Sequence, residues 1–155
     1  MIAVVQRVTA AKVEVAGQIV GQIGSGLAVL LAVHREDTPE DVAWMAGKLT
    51  SLRIFRTGDK HFDIDVKEAG GAVLLVSNFT VAAETRKGRR PSLDQAAPPE
   101  LGRQLFEAFV EAVRREAGPD VTVATGVFGA DMQVELVNDG PVTFLLDSRP
   151  TRAGV

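Results

Sequence analysis

Residues 133–146, QVELVNDGPVTFLL, are the stretch on which our expectation for the fold rests. Apolar residues recur at near-alternate positions on both sides of Asn138-Asp139-Gly140, a pattern that predicts two strands joined by a turn. Pro141 complicates this hairpin because proline cannot donate a hydrogen bond to a strand ladder, and a Gly-Pro bond can be cis at modest cost. The stretch is therefore either an edge-strand turn or a loop that projects its backbone outward.

A second stretch, residues 70–81 (GGAVLLVSNFTV), predicts a strand that is buried on both faces. Residues 72–76 form a short continuous apolar run after a Gly-Gly turn, which is the pattern of a central strand. The small cluster that follows either carries part of a functional site or merely ends the strand. Its members are Ser77, Asn78, Phe79 and Thr80.

The composition limits the class of protein. A chain of 155 residues is most simply one domain, and we find no repeat or linker that divides it. The absence of cysteine excludes thiol catalysis, thiolate metal sites and disulfides. The residues after Met1 show no leader pattern, and no apolar run approaches membrane-spanning length. We therefore expect a soluble cytoplasmic protein.

The net charge of −3 argues against a protein that holds DNA or RNA by bulk electrostatics. One local exception is a loop in which four basic residues lie close together. They are Arg86, Lys87, Arg89 and Arg90. This basic loop is either an ordinary solvated loop or a site for phosphate, because it follows Thr80 closely enough to reach a ligand bound there.

The first part of the chain predicts four strands, which span residues 2–8, 12–16, 18–23 and 27–33. We expect an antiparallel meander with the last of them in the centre, because that strand is apolar throughout. Arg7 is a charge in the otherwise apolar first strand. It either extends to an edge of the sheet or orients a polar group.

Two helices and further strands follow. The first helix has Thr38 as N-cap and Pro39 at its first position, and the second begins after Pro98-Pro99 and is ended by Gly118-Pro119. Each has an apolar stripe that faces the sheet. The remaining predicted strands cover residues 52–55, 62–66 and 72–76, and the small residues of segment 126–132 would allow backbone to approach a ligand. Residues 148–155 are expected to be a frayed polar tail.

Familiar catalytic motifs are missing from the sequence, including the nucleophile elbow, the zinc-binding HExxH motif and the phosphate-binding P-loop. His34 and His61 have no recognisable partner, so we interpret both as surface spectators rather than bases. Asp63 and Asp65 lie on one strand face, where they either hold a cation or are solvated. Any catalysis would have to rest on hydroxyls, amides and backbone N–H groups.

Five motifs in order resemble the D-aminoacyl-tRNA deacylases, also called the D-tyrosyl-tRNA deacylase family. They are MIAVVQRV at 1–8, VSNFTV at 76–81, RRPS at 89–92, FGADMQV at 128–134 and LVNDGPVT at 136–143. No single motif is specific, but the five together span nearly the whole chain. One departure is Asn78, where the family usually has Gln.

The resemblance implies an α+β fold in one small domain, residues 1–147, with antiparallel sheets in a barrel-like core and two main helices outside. It implies a homodimer with active sites at the subunit interface and no metal or organic cofactor. The implied activity is chiral proofreading in translation quality control. The enzyme would hydrolyse the ester that joins a D-amino acid, or glycine mischarged on tRNA(Ala), to the 3′ end of tRNA.

The resemblance also assigns roles to residues. Catalysis falls to Ser77, Asn78, Phe79 and Thr80. The Gly140-Pro141 peptide would be cis and enter the partner subunit's site, where we expect it to exclude L-aminoacyl-tRNA. The other site residues are our own interpretation of the sequence. We expect Arg7 to orient that loop by hydrogen bonding, substrate contacts at Phe128, Ala130 and Met132, and tRNA phosphates at Arg86, Lys87, Arg89 and Arg90.

In the implied mechanism the backbone N–H groups of Phe79 and Thr80 polarise the ester carbonyl, and the 2′-hydroxyl of the adenosine helps to activate water. We prefer this to attack by the Thr80 hydroxyl, because no base adjacent in the sequence would lower its high pKa. Two rival functions stay open. One is a related deacylase of different specificity, and the other is a non-catalytic domain of the same fold that binds RNA or a small molecule.

Overall fold

The structure is a computed structural model that describes residues 1–149. Its strands are β1 (Ile2–Val15), β2 (Gln18–Ile23), β3 (Gly26–Ala32), β4 (Phe55–Thr57), β5 (Lys60–Ile64), β6 (Ala72–Ser77), β7 (Val123–Thr125) and β8 (Gln133–Asp147). The helices are α1 (Pro39–Ser51), α2 (Pro99–Ala117) and a short 3₁₀ turn (Phe79–Ala82).

The main sheet has the order β2-β1-β3-β6-β7, and β8 pairs with β1 as a further strand. Its two ends approach each other, since a Cβ on Gly21 of β2 would overlap the carbonyl oxygen of Thr125 on β7. The sheet is therefore barrel-like, and the expected α+β class with two helices outside is confirmed. One detail differs, because β6 runs parallel to both β3 and β7.

The two helices cover one face of this sheet and contact each other. Met45 and Leu49 of α1 and Phe109 of α2 are almost fully buried in a core that includes Leu75 of β6. The predicted start of α1 is confirmed, and the Asp41 carboxylate accepts the Thr38 N–H at 2.9 Å. The second helix, α2, begins one residue earlier than predicted, at Pro99. The continuous apolar run of β6 is buried because both of its neighbours are strands.

The predicted strands at 2–8 and 12–16 form one long strand, β1. Its first half pairs with β3 and its second half with β2, while β8 pairs along nearly its whole length. The sequence divides the strand because the apolar alternation fails at Thr9 and Ala10, which are exposed. Backbone pairing with β8 continues past this point, so the expected meander is replaced by one shared central strand.

The predicted hairpin at 133–146 is wrong, because both of its arms belong to one strand, β8, and pair with the same neighbour. Thr143 pairs with Gln6 and Asn138 pairs with Val8, so residues 139–142 leave the ladder and project as a loop. The second alternative that the sequence left open, a loop that projects its backbone outward, is the observed one. We call residues 139–142 the projecting loop.

Three smaller expectations are also corrected. The strands predicted at 52–55 and 62–66 are shifted and pair with each other as β4 and β5 in a separate sheet. Ser148 is not frayed, since its hydroxyl accepts a hydrogen bond from the Met1 amino group at 2.6 Å and donates to Asp41 at 2.6 Å. The rest of the predicted tail, 150–155, lies outside the described residues. Within 1–149 no helix is long and apolar enough to cross a membrane.

Candidate active site

A cavity of about 450 Å³ opens where β6 ends, between the strand exit and the start of α2. Ser77, Asn78 and Phe79 line one side of it. The structure brings segment 126–132 to the other side, where Phe128, Ala130 and Met132 contribute to the wall. Six residues predicted for the site from distant parts of the chain therefore share one cavity.

The strand exit is shaped by the side chain of Asn78. Its backbone N–H continues the sheet pattern by donating to Leu31 O at 2.8 Å. Its side-chain oxygen turns forward and accepts both the Thr80 N–H at 3.2 Å and the Thr80 hydroxyl at 2.5 Å. This is the local capping that short Asn side chains favour at the start of a turn, and it closes the 3₁₀ turn that follows.

Because of this capping, only one of the two backbone N–H groups expected to polarise a carbonyl remains free. The Thr80 N–H is occupied by Asn78, and Thr80 is absent from the cavity wall. The Phe79 N–H donates to no oxygen within residues 1–149, and Phe79 lines the cavity. Of the expected pair, Phe79 therefore supplies the one backbone donor that is free to meet a ligand in this arrangement.

The cavity contains little that titrates near neutral pH. Asp131 is the only residue of its wall with an ionisable carboxylate or cationic side chain. Neither His34 nor His61 lines the wall. His34 is buried rather than on the surface as predicted, and this burial lowers its pKa from the ordinary value, so its imidazole is neutral at pH 7. A histidine base is therefore not available in this cavity.

Asp63 and Asp65 are engaged in local contacts on and after β5. Asp63 accepts hydrogen bonds from the side chains of Thr57 and Arg53, and the first of these is the main reason that the pKa of Asp63 is lowered. Asp65 accepts the backbone N–H groups of Lys67 and Glu68 at 2.9 and 3.0 Å. Within residues 1–149 we find no cluster of three or more potential metal ligands.

Phe128 anchors the far wall of the cavity. Its ring packs against Phe106 at a centroid distance of 6.0 Å, and its edge lies against Gly102 of α2, where an added Cβ would be 3.3 Å away. The other contact is the guanidinium of Arg103, which lies 4.9 Å from the ring centroid. Segment 126–132 was predicted to let backbone approach a ligand because its residues are small. It also contributes one large aromatic side chain, which α2 holds in place.

The projecting loop lies outside this cavity of its own subunit. Gly140 and Pro141 are exposed, and the peptide between them is cis, as the resemblance implied. Arg7 is 2% exposed and holds the base of the loop, with Nε 3.1 Å from Asp139 O and Nη1 donating to Ile54 O at 2.7 Å. Arg7 therefore orients a polar group, and the alternative that it extends to an edge is wrong.

Asn138 is a second anchor of the loop, and our sequence reasoning missed it. Its side-chain nitrogen donates to Arg7 O and to Val142 O, both at 2.9 Å, and its oxygen accepts the Val142 N–H at 3.1 Å. These bonds join the two ends of the projecting loop to β1. Asn is frequent in turns for this reason, but the hairpin interpretation assigned it only to turn geometry.

The basic loop is a protrusion between the 3₁₀ turn and the cavity wall. Glu84 and Ser92 close its base through two backbone hydrogen bonds of 2.9 Å. Its four cationic side chains are all exposed, and Arg86 makes a loose ion pair of 3.8 Å with Glu84. Leu93, which follows at once, lines the cavity. The loop is therefore joined at both ends to segments that build the cavity.

The fold and the cavity define a small α+β domain whose candidate ligand site is lined mostly by apolar side chains, together with the polar side chains of Ser77, Asn78 and Asp131. The sequence profile of the D-Tyr-tRNA(Tyr) deacylase family matches residues 4–147. A protein of Geobacter sulfurreducens named D-aminoacyl-tRNA deacylase is 51% identical, over 96% of this chain and 96% of its own length. One of the same name from Methylococcus capsulatus is 53% identical, over 98% of this chain and 97% of its own.

Two solved structures are also similar. One described as a c-Myc DNA unwinding element binding protein has a TM-score of 0.91 and 39% identity, covering 97% of this chain and all of that one. One described as a probable eukaryotic D-amino acid tRNA deacylase has a TM-score of 0.81 over 94% of this chain and 97% of that one. At 20% identity the second supports the fold alone. The chain belongs to the D-Tyr-tRNA(Tyr) deacylase family.

Proposed function

We propose that this chain is a D-aminoacyl-tRNA deacylase, a hydrolase that cleaves the ester between a D-amino acid and the 3′ end of tRNA. The observation that carries the proposal is the free Phe79 N–H at the wall of a mostly apolar cavity. A backbone donor in such a site stabilises the oxyanion that forms when an ester carbonyl is attacked. The names of its relatives supply the substrate class.

The chemistry then proceeds without a protein nucleophile. The carbonyl oxygen accepts the Phe79 N–H, water attacks the carbonyl carbon, and the 3′ oxygen leaves with the proton that the water loses. The neighbouring 2′-hydroxyl of the adenosine helps to position and activate that water. Thr80 is unsuited to attack because its hydroxyl donates to Asn78, and an amide oxygen is not a base that could remove its proton.

Asn78 is in this mechanism a positioning residue rather than a substrate contact. Its side-chain oxygen is committed to Thr80 by two hydrogen bonds. A glutamine, usual in the family, is one methylene longer and would extend past this turn. The shorter Asn78 therefore caps the turn, and a substrate contact through its amide is not part of this proposal. Ser77 is half-buried at the same wall, so its hydroxyl is available to the bound ester.

We also propose a homodimer in which the projecting loop of one subunit covers the cavity of the other, with active sites at the interface. Gly140 and Pro141 are exposed and lie outside the cavity of their own subunit. They are therefore free to contact the cavity of a second subunit related by a twofold axis. A backbone wall at the α-carbon would block the direction of an L side chain and admit D residues and glycine. Glycine mischarged on tRNA(Ala) is then a second substrate.

The remaining assignments complete this proposal. The catalytic domain is residues 1–147, the cytoplasm is its compartment because aminoacyl-tRNA is used there, and the basic loop contacts tRNA phosphates. A cofactor has no role in the steps above.

The experiment that tests the function compares release of amino acid from D-aminoacyl-tRNA, L-aminoacyl-tRNA and glycyl-tRNA(Ala). We expect rapid release from the D ester and from glycyl-tRNA(Ala), and little from the L ester. Release from the L ester at a similar rate would indicate the related deacylase of different specificity. Binding without release from any ester would indicate the non-catalytic domain.

Changing Thr80 to alanine should leave most of the activity. Within residues 1–149 the Thr80 hydroxyl that this substitution removes bonds to Asn78 alone. A hydrogen bond of this kind contributes about 1 kcal/mol, or roughly fivefold in rate if it acts on the transition state. Single-turnover kinetics with D-aminoacyl-tRNA would measure the chemical step. A loss of several hundredfold, with substrate binding unchanged, would instead identify the Thr80 hydroxyl as the nucleophile.

Reversing the charge of Arg89 and Arg90 together should weaken tRNA binding at every sequence tested. If each contacts one phosphate, the slope of log Kd against log salt should fall by about 2, because each neutralised phosphate releases roughly one counterion. The matched control reverses Arg114 and Arg115, which lie on α2 at the end opposite the cavity. An unchanged slope in the Arg89 and Arg90 variant would exclude this role, and the D over L preference should be the same in both variants.

A further inference from the structure

Arg103 is placed at the rim of the cavity by an aromatic contact. Its guanidinium lies 4.9 Å from the ring centroid of Phe128, which lines the cavity. One of its terminal nitrogens also approaches Gly129, where an added Cβ would be 3.9 Å away. No carboxylate within residues 1–149 forms an ion pair with it. Arg103 is therefore placed beside the Phe128 ring by a cation–π contact, and it forms no ion pair within the described residues.

The surroundings of Arg103 restrict what it can bind. It lies in a second groove of about 490 Å³ on the surface of α2, and this groove meets the cavity at Pro99. Glu100 and Glu107 also line the groove. The groove as a whole is thus not cationic, and an anion would be favoured only next to Arg103. This geometry suits one isolated anionic group attached to a ligand that fills the cavity.

The chemistry of an arginine at this rim favours phosphate. A guanidinium presents its N–H groups as a planar fork, so one side of it can remain beside an aromatic ring while two N–H groups donate parallel hydrogen bonds to one oxyanion group. A cavity of about 450 Å³ has the size of sites that hold molecules such as an aminoacylated nucleoside. The 5′ oxygen of that nucleoside carries the nearest phosphate of the RNA chain.

We propose that Arg103 binds the phosphate on the 5′ oxygen of the terminal adenosine, while the aminoacyl ester lies at Phe79 across the cavity. This inference rests on the proposed function, because it takes the terminal aminoacyl-adenosine as the ligand of the cavity. Arg103 acts in binding and takes no part in bond cleavage. The interaction fixes the direction in which the nucleoside enters. The 5′ side of its ribose faces the groove, and the ester on the 3′ side faces the strand exit.

The test uses two small substrates that differ in one group, a D-aminoacyl ester of adenosine and the same ester of adenosine 5′-phosphate. With the wild-type protein the phosphate should raise kcat/KM by about tenfold or more, mainly through a lower KM, as a charge-assisted pair would. In Arg103→Gln this advantage should fall below about threefold, because the loss of kcat/KM should be much larger on the phosphorylated ester than on the unphosphorylated one. Arg103→Lys should keep part of the advantage, and Arg114→Gln, on the same helix, should keep all of it.

The outcomes are distinguishable. An Arg103→Gln protein with the full phosphate advantage overturns the inference and leaves the proposed function intact. An equal loss on both esters also overturns it, since it would mean that Arg103 only supports Phe128. Wild-type protein that hydrolyses full-length D-aminoacyl-tRNA but gains nothing from the phosphate refutes it as well. Failure to hydrolyse even full-length D-aminoacyl-tRNA removes the proposed function itself.

Discussion

Replacing Phe79 with proline should lower kcat for D-aminoacyl-tRNA by about 10²–10³-fold, which is the usual effect of removing one oxyanion donor. Proline has no backbone N–H, and the Phe79 N–H is the free donor of the expected pair, since the Thr80 N–H bonds to Asn78. The effect should appear in the chemical step, because the ester carbonyl becomes an oxyanion only as water attacks. Substrate affinity should change little by comparison.

The position tolerates proline for local reasons. Phe79 is the first residue of the 3₁₀ turn, where proline is favoured because the N–H has no partner inside the turn. The residue before it, Asn78, has an extended backbone with ψ 90°, outside the helical region that a following proline disfavours. The Phe79 side chain is 59% exposed, so little packing is lost with the ring. The substitution therefore removes a donor and alters little else.

Phe79→Ala is the matched control, because it removes the same ring and keeps the N–H. Single-turnover rates of the two variants should differ by about two orders of magnitude or more, while their thermal unfolding midpoints should be close. Equal rates for the proline and alanine variants would show that the Phe79 N–H has no part in the chemistry. Loss of activity in both variants alike would point instead to the ring.

The sequence predicted the strand exit well because two simple patterns coincide there. A continuous apolar run predicts a strand between two others, and the polar residues that end it come next along the chain, so Ser77 and Asn78 needed no long-range information. What the polar groups bond to was not readable. The short side chain of Asn78 reaches the Thr80 N–H only in the turn that the fold selects, and this decides which donor is free.

Pairing between distant segments was harder to predict than strand content. Asn138 and Gly140 have the composition of a hairpin turn, and period-two alternation cannot tell two antiparallel arms from one strand with a loop in it. The difference depends on Arg7, which is 131 residues away from Asn138 and bonds to it through its backbone carbonyl. In the sequence, the charge of Arg7 inside an apolar strand was the one sign that these segments meet.

Replacing Gly140 with alanine should weaken the discrimination against L-aminoacyl-tRNA, and we expect the D over L ratio of kcat/KM to fall at least about tenfold. A Cβ at this position would overlap the backbone nitrogen of Val142, so the projecting loop must move by more than a side-chain rotation. Hydrogen bonds from Asn138 to both Val142 and Arg7 resist that movement from the base, which confines it to the exposed end. The loop backbone excludes L substrates only while it occupies the space that an L side chain would need. Its displacement therefore makes room for the L side chain.

The rate on the D ester should change less than the rate on the L ester, because the Phe79 N–H is untouched. Gly47→Ala is the matched control, since an added Cβ on α1 meets no atom within 4 Å. Both esters should be hydrolysed by this control as by the wild type. A Gly140→Ala protein that stays as strict as the wild type would refute a wall built from this loop.

Mixed dimers decide which subunit the wall serves. One subunit carries Gly140→Ala and the other carries Phe79→Pro. The Phe79→Pro cavity lacks the free N–H, so the cavity of the Gly140→Ala subunit is the only active one in the dimer. If the projecting loop acts across the interface, that cavity receives the intact loop of the Phe79→Pro subunit, and the mixed dimer should be as strict as the wild type. If the loop acts on its own subunit, the same dimer should hydrolyse L-aminoacyl-tRNA as readily as the Gly140→Ala homodimer. Two different affinity tags isolate the mixed species, and the ratio of D to L hydrolysis separates the two arrangements because the second cavity is silent.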